Sequence, residues 1–193
     1  MPEKNINSTT MLPAALRPTP DESGMTVPQL LEHRINALFE QIPLVAELGE
    51  AFAQAGHDLY LVGGSVRDAL MGRLGHDIDF TTDARPDDTE AILRQHTHAT
   101  WDIGRAFGTI GAQIDDWVVE VTTYRADAYH PDSRKPEIVY GETLKDDLIR
   151  RDFTVNAMAL HAATRTFSDP YAGLTDIVSG ILRTPFPPER SFS

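Results

Sequence analysis

Asp77 and Asp79 stand one residue apart in the alternating segment His76-Asp77-Ile78-Asp79-Phe80-Thr81. Side chains two apart on a strand share a face, so both carboxylates would stand together while Ile78 and Phe80 enter a core. Adjacent carboxylates repel, and a hard divalent cation such as Mg²⁺ relieves that repulsion. Upstream, the apolar run Leu61-Val62 ends in Gly63-Gly64, ahead of a helix-compatible stretch. Glycines at a strand-to-helix turn let backbone N–H groups approach an anionic ligand closely. Phosphate at one end and a metal-binding pair at the other point to phosphoryl transfer. A lone Gly-Gly turn or a lone D-x-D is ordinary. Their order and spacing, with Arg67 and Asp68 between them, carry the signal.

The elements that must position these groups follow from periodicity. Residues 58–62 read as a first strand, 65–71 as a short helix and 76–81 as a second strand. A turn at Asp83-Ala84-Arg85-Pro86 leads into a helix over 87–96. Residues 107–114 and 117–124 form two further strands joined at Asp115-Asp116 in a hairpin. Before the first strand, Leu30, Leu31, Ile35, Leu38 and Phe39 fall at helical spacing, Pro43 interrupts, and Val45, Leu48, Phe52 and Ala55 continue toward Gly56. Thr143, followed by Asp146 and Asp147, opens a capped helix. Asp169-Pro170-Tyr171-Ala172-Gly173 reads as a structural turn. Residues 125–142 have the composition of a charged loop, and residues 1–24, rich in Pro, Ser, Thr and Asn, read as a disordered tail.

Bulk properties narrow the class. A chain of 193 residues with 41% hydrophobic content supports one sizeable domain with a complete core. A net charge of -12 argues against a generally basic nucleic-acid binder. There is no cysteine, hence no disulfide, thiolate metal site or cysteine nucleophile. His76, His96, His98 and His130 lack zinc-ligand spacing. The beginning lacks a basic start followed by an apolar core, and no run is apolar enough to cross a bilayer. A cytoplasmic enzyme with no membrane partner fits these features.

The stretch GGSVRDALMGRLGHDIDFTT resembles the signature of the class II tRNA nucleotidyltransferase and bacterial poly(A) polymerase family, within the polymerase-β-like superfamily. RRDFTVNAMA, from Arg150 to Ala159, resembles that family's nucleotide-contacting segment, and the likeness runs from roughly Ala46 to Arg183. The resemblance implies an α+β head domain over 25–193, a small mixed sheet flanked by helices. It implies nucleotidyl transfer from CTP or ATP to the tRNA 3′ end, with Mg²⁺ as cofactor in a two-metal scheme. Asp77 and Asp79 would hold metal, and Glu120, an acid between Val119 and Val121 on the neighbouring strand, would be the third carboxylate. Gly63, Gly64, Arg67 and Arg151 would meet the phosphates, with Asp152 and Asn156 near the ribose. Arginine suits phosphate through its planar fork, and Asp and Asn suit hydroxyls as acceptors. Arg125, Asp127, Arg134 and Pro136 resemble parts of a loop beside the family's active site.

Within the family, GRAFGTIGAQI resembles the tRNA-directed version more than the poly(A) polymerase version. A reading of a different class, a nucleotide- or RNA-binding module without activity, is disfavoured by the presence of both acids of the pair. Family members continue past the segment matching ILRTPFPPERSFS into a neck with an ED-x-x-R-like template motif. The resemblance therefore implies a head-domain fragment lacking neck, body and tail, binding nucleotides with little base preference and tRNA weakly.

Overall fold

The computed structural model of the chain describes residues 19–73, 75–97, 99–126 and 139–186, the side chains at 103, 104 and 106 excluded. Thr26 opens α1 (Val27–Gln41) through a reciprocal capping box with Gln29, and Pro28 sits in the first turn, where a missing N–H is harmless. Leu30, Ile35, Leu38 and Phe39 form its buried stripe. Helix α2 (Pro43–Gln54) buries Leu44, Val45, Leu48 and Phe52 and stops as the sequence implies. Gly56 takes φ +86°, and His57 N–H donates to the Phe52 carbonyl at 2.9 Å.

The remaining order is β1 (Leu59–Val62), α3 (Gly63–Leu70), β2 (Asp77–Thr82), α4 (Pro86–Leu93), β3 (Thr100–Gly104), β4 (Thr109–Ile114), β5 (Trp117–Thr123), β6 (Arg125–Ala126), β7 (Val139–Tyr140), α5 (Leu144–Ile149), β8 (Ala159–His161), β9 (Phe167–Ser168) and α6 (Gly173–Ser179). Seven strands form one sheet in the order β3-β4-β5-β2-β1-β8-β9, and β6 with β7 forms a separate ribbon. In the large sheet only β2 and β5 run parallel. The fold is α+β, a mixed sheet flanked by helices.

The two faces of the sheet are covered differently. Leu59, Leu61, Ile78, Phe80, Val119, Val121 and Leu160 point into the main core with α1 to α4. On the other face Tyr60, Val62 and Ala159 meet Leu144 and Leu148 of α5 in a second, smaller cluster. That cover stops short of Asp77, Asp79 and Glu120, which are exposed. The period of two thus puts one set of residues into a core and the other at an open edge of the second layer.

The sheet is larger than the four strands legible in the sequence. β3, β8 and β9 are short and supported by neighbours rather than by alternation of their own. The helix opened by Thr143 ends at Ile149, after which the chain makes a 3-10 turn over Thr154–Asn156 and enters β8. The helix expected over 87–96 spans Pro86–Leu93. The expected tail boundary at residue 24 is also corrected. Residues 1–18 lie outside the described residues, but Pro20–Glu22 forms a 3-10 turn whose Glu22 is buried against Arg34. A carboxylate at that depth needs a partner, and Arg34 twelve residues on supplies it. Among the described residues no helix is long and apolar enough to cross a membrane.

Candidate active site

The site lies where β1 ends and β2 begins. Val62 is both the last residue of β1 and the N-cap of α3, so strand passes into helix with no intervening loop. Gly63 takes φ +66°, and a Cβ there would stand 3.0 Å from Arg151 Nη1. The positive φ calls for glycine, and a side chain would also press the tip of Arg151 aside. At Gly64 the nearest atom to such a Cβ would be Arg67 Nη2 at 3.4 Å, an ordinary contact. The first-turn N–H groups of a helix have no intrahelical acceptor, which suits an anion at this end. Ser65, which sequence reasoning passed over, fastens the helix to the strand. Its hydroxyl accepts from Asp79 N–H at 3.1 Å and reaches the Asp77 carbonyl oxygen at 3.4 Å.

Asp77 and Asp79 share the exposed face of β2, as their spacing requires. Asp79 stands in register with Glu120 of β5, so the third acid falls on the adjacent strand and the same face. Partial loss of water raises the Asp79 carboxyl above its usual 3.8, Asp77 raises it further, and Arg151 opposes the rise. A carboxylate whose charge is disfavoured in this way, with a second acid beside it, suits a divalent cation. Among the described residues no group of three or more acidic or histidine side chains is arranged to enclose one. Mg²⁺ does not need such a cage, because it is commonly held by one or two carboxylates, substrate phosphates and water. The donor set fits.

Of the two arginines, Arg151 faces Asp79, and Arg67 is held by its own neighbours. Arg67 Nε and Nη2 each donate to Asp68 at 3.0 Å, and Nη1 donates to Asn156 Oδ1 at 2.7 Å. Asn156 Nδ2 in turn donates to Asp152 Oδ1 at 3.2 Å. The residues expected at phosphate and ribose are therefore joined in one polar chain across 89 positions of sequence. Arg151 leans on Gly63 and donates from Nη2 to Asp147 Oδ2 at 2.9 Å. Gly63, Asp79, Glu120 and Arg151 are thus neighbours at this corner, while Arg67, Asn156 and Asp152 form a linked group of their own.

Asp147 escaped sequence reasoning as a functional residue, although its position four before Arg151 is the spacing at which helical acids and bases meet. Asp169 is structural: its carboxylate accepts from Gly173 and Leu174 N–H at 2.7 and 3.0 Å, closing the turn before α6. His76 packs on Trp117 with ring centres 5.7 Å apart. Asp127, Arg134, Pro136, His98 and His130 lie outside the described residues.

The family profile described as the poly A polymerase head domain matches residues 59–183, and the chain belongs to that family. It is 41% identical over 150 residues to the CCA-adding enzyme of Staphylococcus aureus (strain MRSA252), covering 77% of this chain and 35% of that protein. The solved structure of the Bacillus stearothermophilus CCA-adding enzyme in complex with CTP is similar, with a TM-score of 0.66 and 34% identity over 80% of this chain and 35% of that one. So is a tRNA nucleotidyltransferase complexed with a primer tRNA and an incoming ATP analog, with a TM-score of 0.60 and 32% identity over 72% of this chain and 39% of that one. The chain spans about a third of the length of the curated relatives it matches.

Proposed function

We propose that this chain carries the catalytic head of a tRNA nucleotidyltransferase, which transfers nucleotidyl groups from CTP and ATP to the tRNA 3′ end with Mg²⁺. The observation that carries the reading is the register of Asp79 with Glu120, beside Asp77 and facing Arg151. Relatives named as CCA-adding enzymes, one solved with CTP and another with primer tRNA and an ATP analog, support the substrates. Asp77 and Asp79 would hold the cation, which when bound lowers the pKa of the attacking hydroxyl and offsets charge on the leaving oxygen. The residues of this chain do the rest. Gly63 and Gly64 admit phosphate oxygens to the start of α3, and Arg67 and Arg151 fix the triphosphate. Asn156 and Asp152 offer donors and acceptors to ribose hydroxyls, and Glu120 orients the hydroxyl that attacks. No protein nucleophile takes part.

The test has two stages. Calorimetric titration with Mg²⁺–CTP and Mg²⁺–ATP should show binding that Asp77→Ala weakens. Labelled tRNA lacking its CCA end, incubated with the protein, CTP and ATP, should gain those nucleotides. Failure to bind either nucleotide rejects the site. Growth of mixed RNA primers from ATP alone would reassign it to poly(A) synthesis.

A further inference from the structure

The phosphate-facing arginine is held from behind by a buried acid. Asp147 is 5% exposed and uses its two oxygens in different directions. Oδ2 accepts from Arg151 Nη2 at 2.9 Å, and Oδ1 accepts from the backbone N–H of Arg125 at 3.3 Å. Arg151 Nη1 lies against Gly63. Arg125 begins β6, and its side chain donates from Nη2 to Thr109 Oγ1 at 2.9 Å. One carboxylate therefore joins three segments: the glycine turn through Arg151, the β6–β7 ribbon through Arg125, and α5 through its own backbone.

Arg125, Arg150 and Arg151 lie near Asp147, and the Arg125 guanidinium is pushed below its usual pKa by loss of water and then by Arg150. Arg125 Nε and Arg151 Nε are both buried with no hydrogen-bond partner. Guanidinium groups gathered here, two of them with unmatched Nε donors, suit a polyanion. Asp147 partly cancels that charge, so bulk attraction alone cannot explain an acid at this place. Its geometry can, because a flexible arginine gains directional binding when one of its nitrogens is fixed.

Resting on the function proposed above, we infer that Asp147 is a positioning residue that aims Arg151 at the triphosphate and locks it to the β6–β7 ribbon. Electrostatics and positioning predict opposite signs for Asp147→Asn. Removing a negative charge strengthens attraction for a triphosphate. Asn keeps one acceptor oxygen for the two donors that Asp147 serves, Arg151 Nη2 and Arg125 N–H, and turns an amide NH2 toward the other, so the hold on Arg151 loosens and binding weakens by about tenfold or more. The experiment titrates Mg²⁺–CTP into the unmutated chain, Asp147→Asn, Arg151→Ala and the double variant, with a thermal melt of each. A weaker Asp147→Asn that adds no loss in the Arg151→Ala background supports the inference. Unchanged or tighter binding by Asp147→Asn, or an equal loss in both backgrounds, overturns it. No binding by the unmutated chain overturns the proposed function as well. Where Asp147→Asn does not fold, the unmutated chain supplies the readout. Arg151 Nη protons held by Asp147 give separate NMR signals without nucleotide, and one averaged signal overturns the inference.

Discussion

Arg34 with Glu22 and Arg151 with Asp147 are both arginine–carboxylate pairs with little exposure, yet they are built differently. Arg34 Nε and Nη2 meet the two oxygens of Glu22 at 2.9 and 3.1 Å, and Nη1 donates to the Leu70 carbonyl. Every nitrogen of that fork faces an acceptor, and its side chain is 6% exposed. Arg151 makes one bond to Asp147, is 24% exposed, and keeps Nε without a partner. An arginine that holds a fold together is saturated by it. Arg151 is instead pinned at one nitrogen, while Arg67 is held at all three by Asp68 and Asn156, so only the Arg151 pair shows this contrast with Arg34.

The comparison breaks first at the acids. Asp77→Ala or Asp79→Ala should reduce nucleotidyl transfer by about a thousandfold or more, since a metal site supplies several kcal/mol of transition-state stabilisation. Neither should lower the melting temperature, because both residues are exposed and ionisation of Asp79 is already disfavoured. A primer-extension assay paired with a melt checks both halves, and near-normal transfer by both variants rejects the metal assignment. Next comes the saturated pair. Glu22→Ala takes the carboxylate from a buried guanidinium and should cost about 3–5 kcal/mol of stability with no change in nucleotide affinity. Deleting residues 1–24 should cost a similar amount, which separates an ordered 20–24 turn from a dispensable tail in one denaturant titration. Smaller again, Arg67→Ala or Arg151→Ala should weaken Mg²⁺–nucleotide binding by about 1.5–3 kcal/mol while the melt barely moves. Unchanged calorimetric titrations for both would remove them from the site.

What could be read beforehand follows the same division. Asp77, Asp79 and the glycine turn were legible because period two and strand-to-helix punctuation are local properties of β1, α3 and β2. The α1 and α2 stripes were legible for the same reason. Three things were not. The short strands β8 and β9 exist because β1 offers an edge at positions such as Leu61, opposite Leu160, and no residue within 159–168 announces that edge. Glu22 looked like part of a polar tail because its partner Arg34 sits on a helix whose start is separately capped. The grouping of Arg67 with Asn156 needs the return of the chain after α5, and only the motif's likeness to a known family anticipated it. Long-range pairing is a property of the fold, and single-sequence periodicity carries little of it.

The smallest effect is the one that sets the two regions directly against each other. Glu22 and Asp79 are both carboxylates whose protonation is tied to folding, with opposite signs. Arg34 holds Glu22 well below its usual 4.5, at about 2, chiefly by hydrogen bonding. Its contribution to stability is therefore fully present above pH 4.5 and is lost as pH falls toward about 2. Asp79 is raised above 3.8, chiefly by loss of water. Its contribution is present below pH 3.8 and is lost as pH rises through its folded value, where ionising it in place opposes folding. Glu22→Gln should flatten the fall of stability between pH 4.5 and 2. Asp79→Asn should make the fall steeper above pH 3.8, as pH descends from neutral through the folded value of Asp79, because the protein then lacks the one acid of the two that gains from protonation. Urea titrations of the three proteins at intervals across both ranges give the slopes. If Asp79→Asn flattens the profile as Glu22→Gln does, Asp79 is stabilised as an anion by Arg151, and the two regions are alike in kind.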